Sequence, residues 1–280
     1  MKFARIGAAG KERPVVVVDG AYFDISSITP DIDGRFLESE GCGRVAEAVR
    51  DGSLPKLGGV ESMRIGSPIA RPSAVICIGM NYAAHAVESG SPPPVVPIMF
   101  LKTPNTVVGP DDDVEIPRNS RKTDWEVELG VVISARASYL DSPADSINHI
   151  AGFVAANDLS EREFQLELSG GQWSKSKSAP GFNPTGPWLV TPDEVDYRNM
   201  RLRSWVNGEC RQDSTTAELI FDVDFIIWHL SQYLTLEPGD LVLTGTPAGV
   251  ALSGRFAYLE PGDVCEIEID GLGRQRQLFV

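Results

Sequence analysis

The sequence predicts a strand-rich α+β fold. Three observations carry this expectation. Short runs dense in Val and Ile recur along the chain, among them Ala74–Gly79, Glu126–Ile133, His149–Ala156 and Leu241–Thr244. Clusters of Gly and Pro punctuate them, as turns between strands require. Helical spacing of apolar residues is confined to a few stretches, chiefly Gly43–Asp51, Asn81–Glu88 and Leu219–Leu234.

The elements follow in order. Residues 1–70 read as a small N-terminal domain and residues 71–280 as the main body, which opens at Arg71-Pro72. Within the first, Arg13–Val18 is a strand, Asp19-Gly20 a hairpin turn and Ala21–Ile25 the returning strand. Gly43–Asp51 is helical and Gly52–Gly59 a loop. In the body, Ala74–Gly79 is a buried strand, and Asn81 is the expected N-cap of a helix reaching Glu88. Gly90–Pro97 contains three consecutive prolines and forms a stiff, extended loop. Ile98–Leu101 is a strand, and the acidic run Asp111–Asp113 a solvated turn. Leu159–Leu168 is a short helical stretch. Gln172–Pro187 is too rich in Pro, Gly and Ser for regular structure and reads as a loop. Pro187–Val190, Arg201–Val206 and Asp263–Asp270 complete the strands. Asn207-Gly208 marks a hairpin tip, and Leu219–Leu234 packs on the sheet as a surface helix.

Composition narrows the function. The 280 residues carry a net charge of −14, a surface that repels phosphate backbones and anionic lipid. Neither nucleic acid nor membrane is an expected partner. No apolar run approaches the roughly 18 residues of a membrane helix, and Met1–Gly7 lacks the apolar core of a signal peptide. The expected location is the cytoplasm. Four scattered cysteines argue against a disulfide framework or a zinc site, and three histidines against a His-rich transition-metal site. A small anionic substrate would need a local island of positive charge, which a bound cation helps to supply.

The residues able to do chemistry are few. In a strand, Glu126 and Glu128 share one face, and Trp125, Val127, Leu129 and Val131 the other. Two adjacent carboxylates suit a hard divalent cation. They equally suit a half-exposed strand, and Glu266, Glu268 and Asp270 repeat the pattern near the C-terminus. Asp158 ends an apolar strand, where polar residues are displayed. Arg162 and Gln165 follow at i+4 and i+7, so one helical face presents all three; a plain Asp158–Arg162 salt bridge is the alternative. Lys175 and Lys177 make the Gln172–Pro187 loop a candidate anion site. His85 and Glu88, three apart on a helix, can pair so that the carboxylate orients the imidazole. The Leu241–Gly249 turn matches no phosphate-binding motif.

The order of these pieces resembles the fumarylacetoacetate hydrolase family over roughly residues 71–255. The resemblance rests on Gly79, Asn81, Tyr82, His85 and Glu88; on Phe100-Leu101-Lys102; and on Asp124-Trp125-Glu126-Val127-Glu128-Leu129. It continues through Gly152-Phe153, Asn157-Asp158, Ser160, Arg162 and Gln165, then Gln172-Trp173, Lys177-Ser178 and Gly186-Pro187. Asn207-Gly208, Leu243–Pro247 and Gly249-Val250 close it.

The resemblance implies a mixed β-roll with a small N-terminal domain and a homodimeric assembly. It implies Glu126, Glu128 and Asp158 as ligands of Mg²⁺, with Mn²⁺ or Ca²⁺ as alternative occupants. Lys177 would bind a substrate oxygen, with Lys175 as a second candidate. His85 and Glu88 would form the acid/base dyad, and Tyr82, Arg162, Gln165 and Thr246 would contact substrate. The Gly90–Pro97 loop would act as a lid. The implied reaction is hydrolysis of a C–C bond in a small anionic 2,4-dioxo acid. The same site serves relatives that decarboxylate oxaloacetate, isomerise unsaturated diacids or hydrate dienoates. A binding protein with a decayed site is the rival from another class. One departure is visible: relatives often carry Lys-Ser-Phe-Asp where this chain has Lys177-Ser178-Ala179-Pro180.

Overall fold

The computed structural model describes residues 1–280. Its spine is a mixed sheet of 11 strands, in keeping with the α+β class. The order runs Lys56–Leu57, Ala21–Asp24, Arg13–Val18, Lys2–Ile6, Leu189–Val190, Ile150–Asn157, Val127–Ile133, Leu241–Leu243, Val75–Gly79, Ile98–Lys102, with Ile65–Gly66 beside Lys2–Ile6. Leu241–Leu243 and Val75–Gly79 run parallel; the other neighbours are antiparallel. The residue-70 boundary cuts through this sheet, because Lys2 and Phe3 pair with Val190 and Leu189. The strand Lys2–Ile6 is hidden in the sequence because Lys2 and Arg5 interrupt its apolar alternation.

Every residue of Val127–Ile133 is buried. Its alternation therefore separates two cores, not core from water. Trp125, Val127, Leu129 and Val131 enter one core together with Leu202, Val206, Ile267 and Ile269. Those partners come from a second, four-stranded antiparallel sheet: Glu209–Thr215, Arg201–Val206, Val264–Ile269, Gly273–Leu278. The helix Val223–Ser231 adds Ile226, Ile227 and Leu230. On the opposite face, Val132 joins Val75, Cys77, Phe100, Phe3, Val16, Phe36 and Val45. Each buried Val, Leu or Ile contributes about 1.5–3 kcal/mol, so the central strand is clamped from both sides. Glu126 and Glu128 lie in register with Val132, at the end of that strand.

Four local expectations are corrected. The predicted helix Asn81–Glu88 spans Ala83–Glu88 and is capped by Tyr82. Asn81 instead donates to Phe221 O and Thr244 O and accepts from Phe221 N–H, tying the helix to two distant loops. Leu159–Leu168 is not one helix: Ser160–Glu161 pairs with Thr123–Asp124, and winding starts only at Arg162, with Phe164–Leu168 as a π-helical turn. The Gln172–Pro187 loop contains a short helix, Trp173–Lys177. Asp112 of the acidic run pairs with Arg64 at 2.6 Å, so that turn is anchored. Glu266 and Glu268 are half-buried and meet Arg274 and Arg203 across the second sheet. That pair is the solvated pattern its sequence suggested.

Candidate active site

Sheet register assembles the site. Val127 pairs with Asn157 and Glu128 with Ala156, so Asp158, one step on, comes to lie opposite Glu126. Its N–H donates to Glu126 O at 2.9 Å. Glu126 and Asp158, 32 apart in sequence (158 − 126), thereby share one end of two adjacent strands. Oxygens of Glu126, Glu128 and Asp158 lie within 4.8 Å of one another, and all three side chains are buried.

The third neighbour of this strand end is the turn after Leu241–Leu243. Thr246 Oγ1 donates to Val127 O at 2.9 Å, and Gly245 N–H donates to Glu128 Oε2 at 2.8 Å. Gly245 adopts φ +101°, and an added Cβ would lie 2.7 Å from Asn81 Cβ. Only glycine fits there.

Four buried carboxylates, Asp124, Glu126, Glu128 and Asp158, face three buried cations, Lys102, Arg162 and Lys177. Lys177 Nζ bridges Glu126 Oε2 at 2.7 Å and Asp158 Oδ2 at 2.6 Å. Arg162 donates to Asp124 at 2.8 Å, to Glu126 at 2.6 Å and to Gln165 Oε1 at 2.9 Å. Its partners are thus Asp124 and Glu126, not the Asp158 of the salt-bridge alternative. Asp124 also accepts N–H donors from Ala251 and Leu252, which fastens the site to the Gly249 loop.

Glu128 alone has no cationic partner; Gly245 N–H is its one donor. Burial, then the charges of Asp158 and Glu126, push its carboxyl well above the usual range. Burial opposes ionisation of Glu126 too, but Lys177 and Arg162 prevail and hold it well below that range. A set of three hard oxygen donors with one carboxylate lacking a counter-charge fits a divalent cation of the Mg²⁺, Mn²⁺ or Ca²⁺ type.

The dyad lies across the cavity. His85 Nδ1 is 3.1 Å from Glu88 Oε1. A carboxylate only accepts, so Nδ1 carries the proton, and in the neutral ring this leaves the lone pair on Nε2. Glu88 in turn accepts from Gly249 N–H at 3.0 Å and from Arg255 at 2.8 Å. Burial would raise Glu88, but His85, the Gly249 amide and Arg255 together hold its carboxyl below its ordinary value.

A cavity of about 100 Å³ joins the two halves; His85, Glu126, Glu128, Arg162, Gln165, Lys177 and Thr246 are in its wall. Trp173, Phe100, Leu166 and Leu252 close its apolar side. Trp173 packs edge-on against Phe100, and Lys177 Nζ lies 4.9 Å over the Phe100 ring. Asp158 and Glu88 sit one layer behind, beneath Lys177 and His85. Lys175 is exposed whereas Lys177 is buried, which separates the two lysine candidates.

Two expected substrate contacts are placed otherwise. Tyr82 is outside the cavity wall: its ring is in the main core and its hydroxyl has no partner. The extended backbone at the helix cap turns it inward. Thr246 reaches the wall, but its hydroxyl is spent on Val127 O and Gln212 Nε2. The Gly90–Pro97 loop exposes Val95 and Val96, and its Ser91 joins Ser89 in the cavity wall. The sequence left Gln212 unmarked and gave Asp124 and Lys102 a place in the resemblance but no role. For Lys102 a signal existed: it alternates with Phe100 on a strand, so the two share the inward face.

Comparison with known proteins bears on the family and the fold. The profile of the fumarylacetoacetate (FAA) hydrolase C-terminal domain matches residues 74–280. A 2,4-didehydro-3-deoxy-L-rhamnonate hydrolase from a Sphingomonas species is 42% identical, over 99% of this chain and 95% of its own. The structure of a 5-carboxymethyl-2-hydroxymuconate delta-isomerase from Mycobacterium smegmatis is 30% identical, with a TM-score of 0.78 over 100% of this chain and 98% of that one. A maleylpyruvate hydrolase from Sphingobium sp. SYK-6, solved with manganese(II) and pyruvate, is 26% identical, with a TM-score of 0.82 over 100% and 99%. A domain match over most of the chain, full-length identity above 40% and a shared fold lead to one assignment: the chain belongs to the fumarylacetoacetate hydrolase family of enzymes.

Proposed function

We propose that this chain hydrolyses a C–C bond of a 2,4-dioxo acid, an acylpyruvate, to pyruvate and a carboxylic acid. The observation that carries the reading is that His85, paired with Glu88, shares one cavity with Lys177 and with Glu126 and Glu128 of the carboxylate triad. The didehydro-deoxy acid in the Sphingomonas relative's name is itself a 2,4-dioxo acid, which supports the substrate class. The reading takes Mg²⁺ as the resident cation, a homodimer as the assembly and the cytoplasm as the location.

Glu126, Glu128 and Asp158 would hold the cation. When bound, it supplies Lewis acidity at the pyruvyl end of the substrate. Lys177 Nζ adds a fixed positive charge on the same side, held there by Phe100 and two carboxylates. Gln165 keeps its amide N–H₂ free toward the cavity, since its oxygen is taken by Arg162. Arg162 spends three of its five N–H groups on the protein, which fixes the guanidinium plane.

His85 Nε2 takes a proton from water, and Glu88 stabilises the resulting imidazolium. The hydroxide adds to the C4 carbonyl. The C3–C4 bond breaks, its electron pair passes to C3, and Lys177 faces the developing enolate charge. The imidazolium returns the proton to C3, giving pyruvate. Leu166, Trp173 and Leu252 give the cavity an apolar side for the carbanion-like carbon. A decarboxylase needs no water-activating base, so this dyad favours hydrolysis.

His85→Ala is the test. Acylpyruvate hydrolysis should fall about 10²–10⁴-fold while divalent-cation affinity stays at the wild-type value. Undiminished hydrolysis in this variant would remove the basis of the reading.

A further inference from the structure

Lys177 faces the cavity and bridges Glu126 Oε2 and Asp158 Oδ2. Apart from it, each carboxylate of the triad has one oxygen held by another donor. Arg162 grips Glu126 Oε1 at 2.6 Å, and Gly245 N–H grips Glu128 Oε2 at 2.8 Å. The third grip is Lys102, whose Nζ donates to Asp158 Oδ1. The other oxygen of Asp158, Oδ2, accepts from Lys177 Nζ at 2.6 Å, the ammonium that also donates to Glu126 Oε2.

Lys102 is placed for this and nothing else. On Ile98–Lys102 it shares the inward face with buried Phe100, whereas Met99 and Leu101 are exposed. Its side chain is fully buried and lies outside the cavity wall. An ammonium has three N–H donors. Asp158 Oδ1 takes one, Phe182 O at 2.6 Å a second, and Leu159 O at 3.3 Å the third. No donor is left for a substrate. The two carbonyls flank Asp158 along the chain and across the Phe182 loop, so Nζ cannot follow if the carboxylate swings.

We propose that Lys102 is a positioning residue: it locks one oxygen of Asp158 so that the other is presented to the divalent cation. The inference rests on Glu126, Glu128 and Asp158 as the cation site. It makes a prediction of sign. As a mere charge, Lys102 repels a bound cation, and removing it would tighten binding. As a positioner it strengthens binding, and removing it weakens binding, since partners behind a ligand are worth about 10–100-fold in metal affinity.

The experiment is a calorimetric titration of Mn²⁺ into metal-free wild type, Lys102→Met and Lys102→Arg, with no substrate present. Lys102→Met should bind Mn²⁺ 10- to 100-fold more weakly. Lys102→Arg keeps the charge, but its planar fork cannot meet the same three acceptors, and it should weaken binding as well. Unchanged or tighter binding by Lys102→Met overturns the proposal. If Lys102→Met fails to fold, Lys102→Arg decides it, and wild-type affinity there overturns it. The titration reads no turnover, so a failed hydrolase assay leaves it intact. A wild-type chain that binds no divalent cation overturns both.

Discussion

Replacing Glu128 by glutamine should stabilise the metal-free protein while abolishing its response to metal. Glu128 is 2% exposed and is the one triad carboxylate without a cationic partner. Its neighbours' oxygens lie within 4.8 Å. At an effective dielectric constant near 20, like charges at that distance repel by about 3.5 kcal/mol per pair. Lys102, Lys177 and Arg162 already offset much of the charge on Glu126 and Asp158. The net relief is therefore smaller, about 1–2 kcal/mol. For a chain this size that corresponds to a rise in Tm of about 2–8 °C. The amide oxygen can still accept from Gly245 N–H, so no new buried polar group is orphaned. Thermal unfolding of wild type and Glu128→Gln, each with chelator and with excess Mg²⁺ or Mn²⁺, is the assay. Wild type should gain stability on adding metal, and the variant should start higher and gain little. A variant that unfolds earlier than wild type in chelator, yet keeps the full metal shift, would refute the reasoning.

Two further perturbations reach the dyad and the lysine. Arg255 is largely exposed and holds Glu88 at 2.8 Å. An exposed ion pair is worth at most about 1 kcal/mol, so Arg255→Ala should lower kcat at neutral pH by no more than about 5-fold. Because the folded-state value of Glu88 is depressed, its contribution to stability is present above the ordinary value of 4.5 and is lost as pH falls through the folded value. The stability gap between wild type and Arg255→Ala should therefore close in denaturant titrations below that pH. Gly79→Ala would place a Cβ 2.2 Å from Trp173 Cζ3. Trp173 must move off Phe100, the ring beneath Lys177. We expect a loss of about 1–3 kcal/mol together with reduced kcat, read by denaturation and steady-state kinetics; unchanged kcat would detach Trp173 from the positioning of Lys177.

Much of the frame was legible in the sequence, because period-2 alternation and turn chemistry are local properties. Val75–Gly79, Ile98–Lys102, Ile150–Asn157 and Arg201–Val206 fall within a residue or so of where patterning places them. What patterning could not separate was Glu126/Glu128 from Glu266/Glu268. The difference is burial, and burial is set by residues 1–70 and the second sheet packing on opposite faces. Arg162 shows the same limit from another side. Helical spacing pointed it at Asp158, but Ser160–Glu161 is extended, and the guanidinium reaches Asp124 and Glu126 instead. Asn81 looked like a helix cap because Asn usually serves there; here its amide bridges two loops that only tertiary structure brings near. Lys102 stood in a recognisable Phe100-Leu101-Lys102 motif, yet its partners lie 56 to 80 positions away and no local rule names them.

The central claim is that the dyad delivers water to a carbon while Lys177, beside the carboxylate triad that would hold a cation, stabilises the departing pyruvyl fragment. The most direct measurement is product analysis. Acylpyruvates and oxaloacetate are incubated side by side with the Mg²⁺-loaded protein, and pyruvate, carboxylic acid and carbon dioxide are quantified. The account predicts pyruvate and one equivalent of carboxylic acid from the acylpyruvate, at a rate above any turnover of oxaloacetate. Carbon dioxide as the main product, with acylpyruvate left intact, would contradict it.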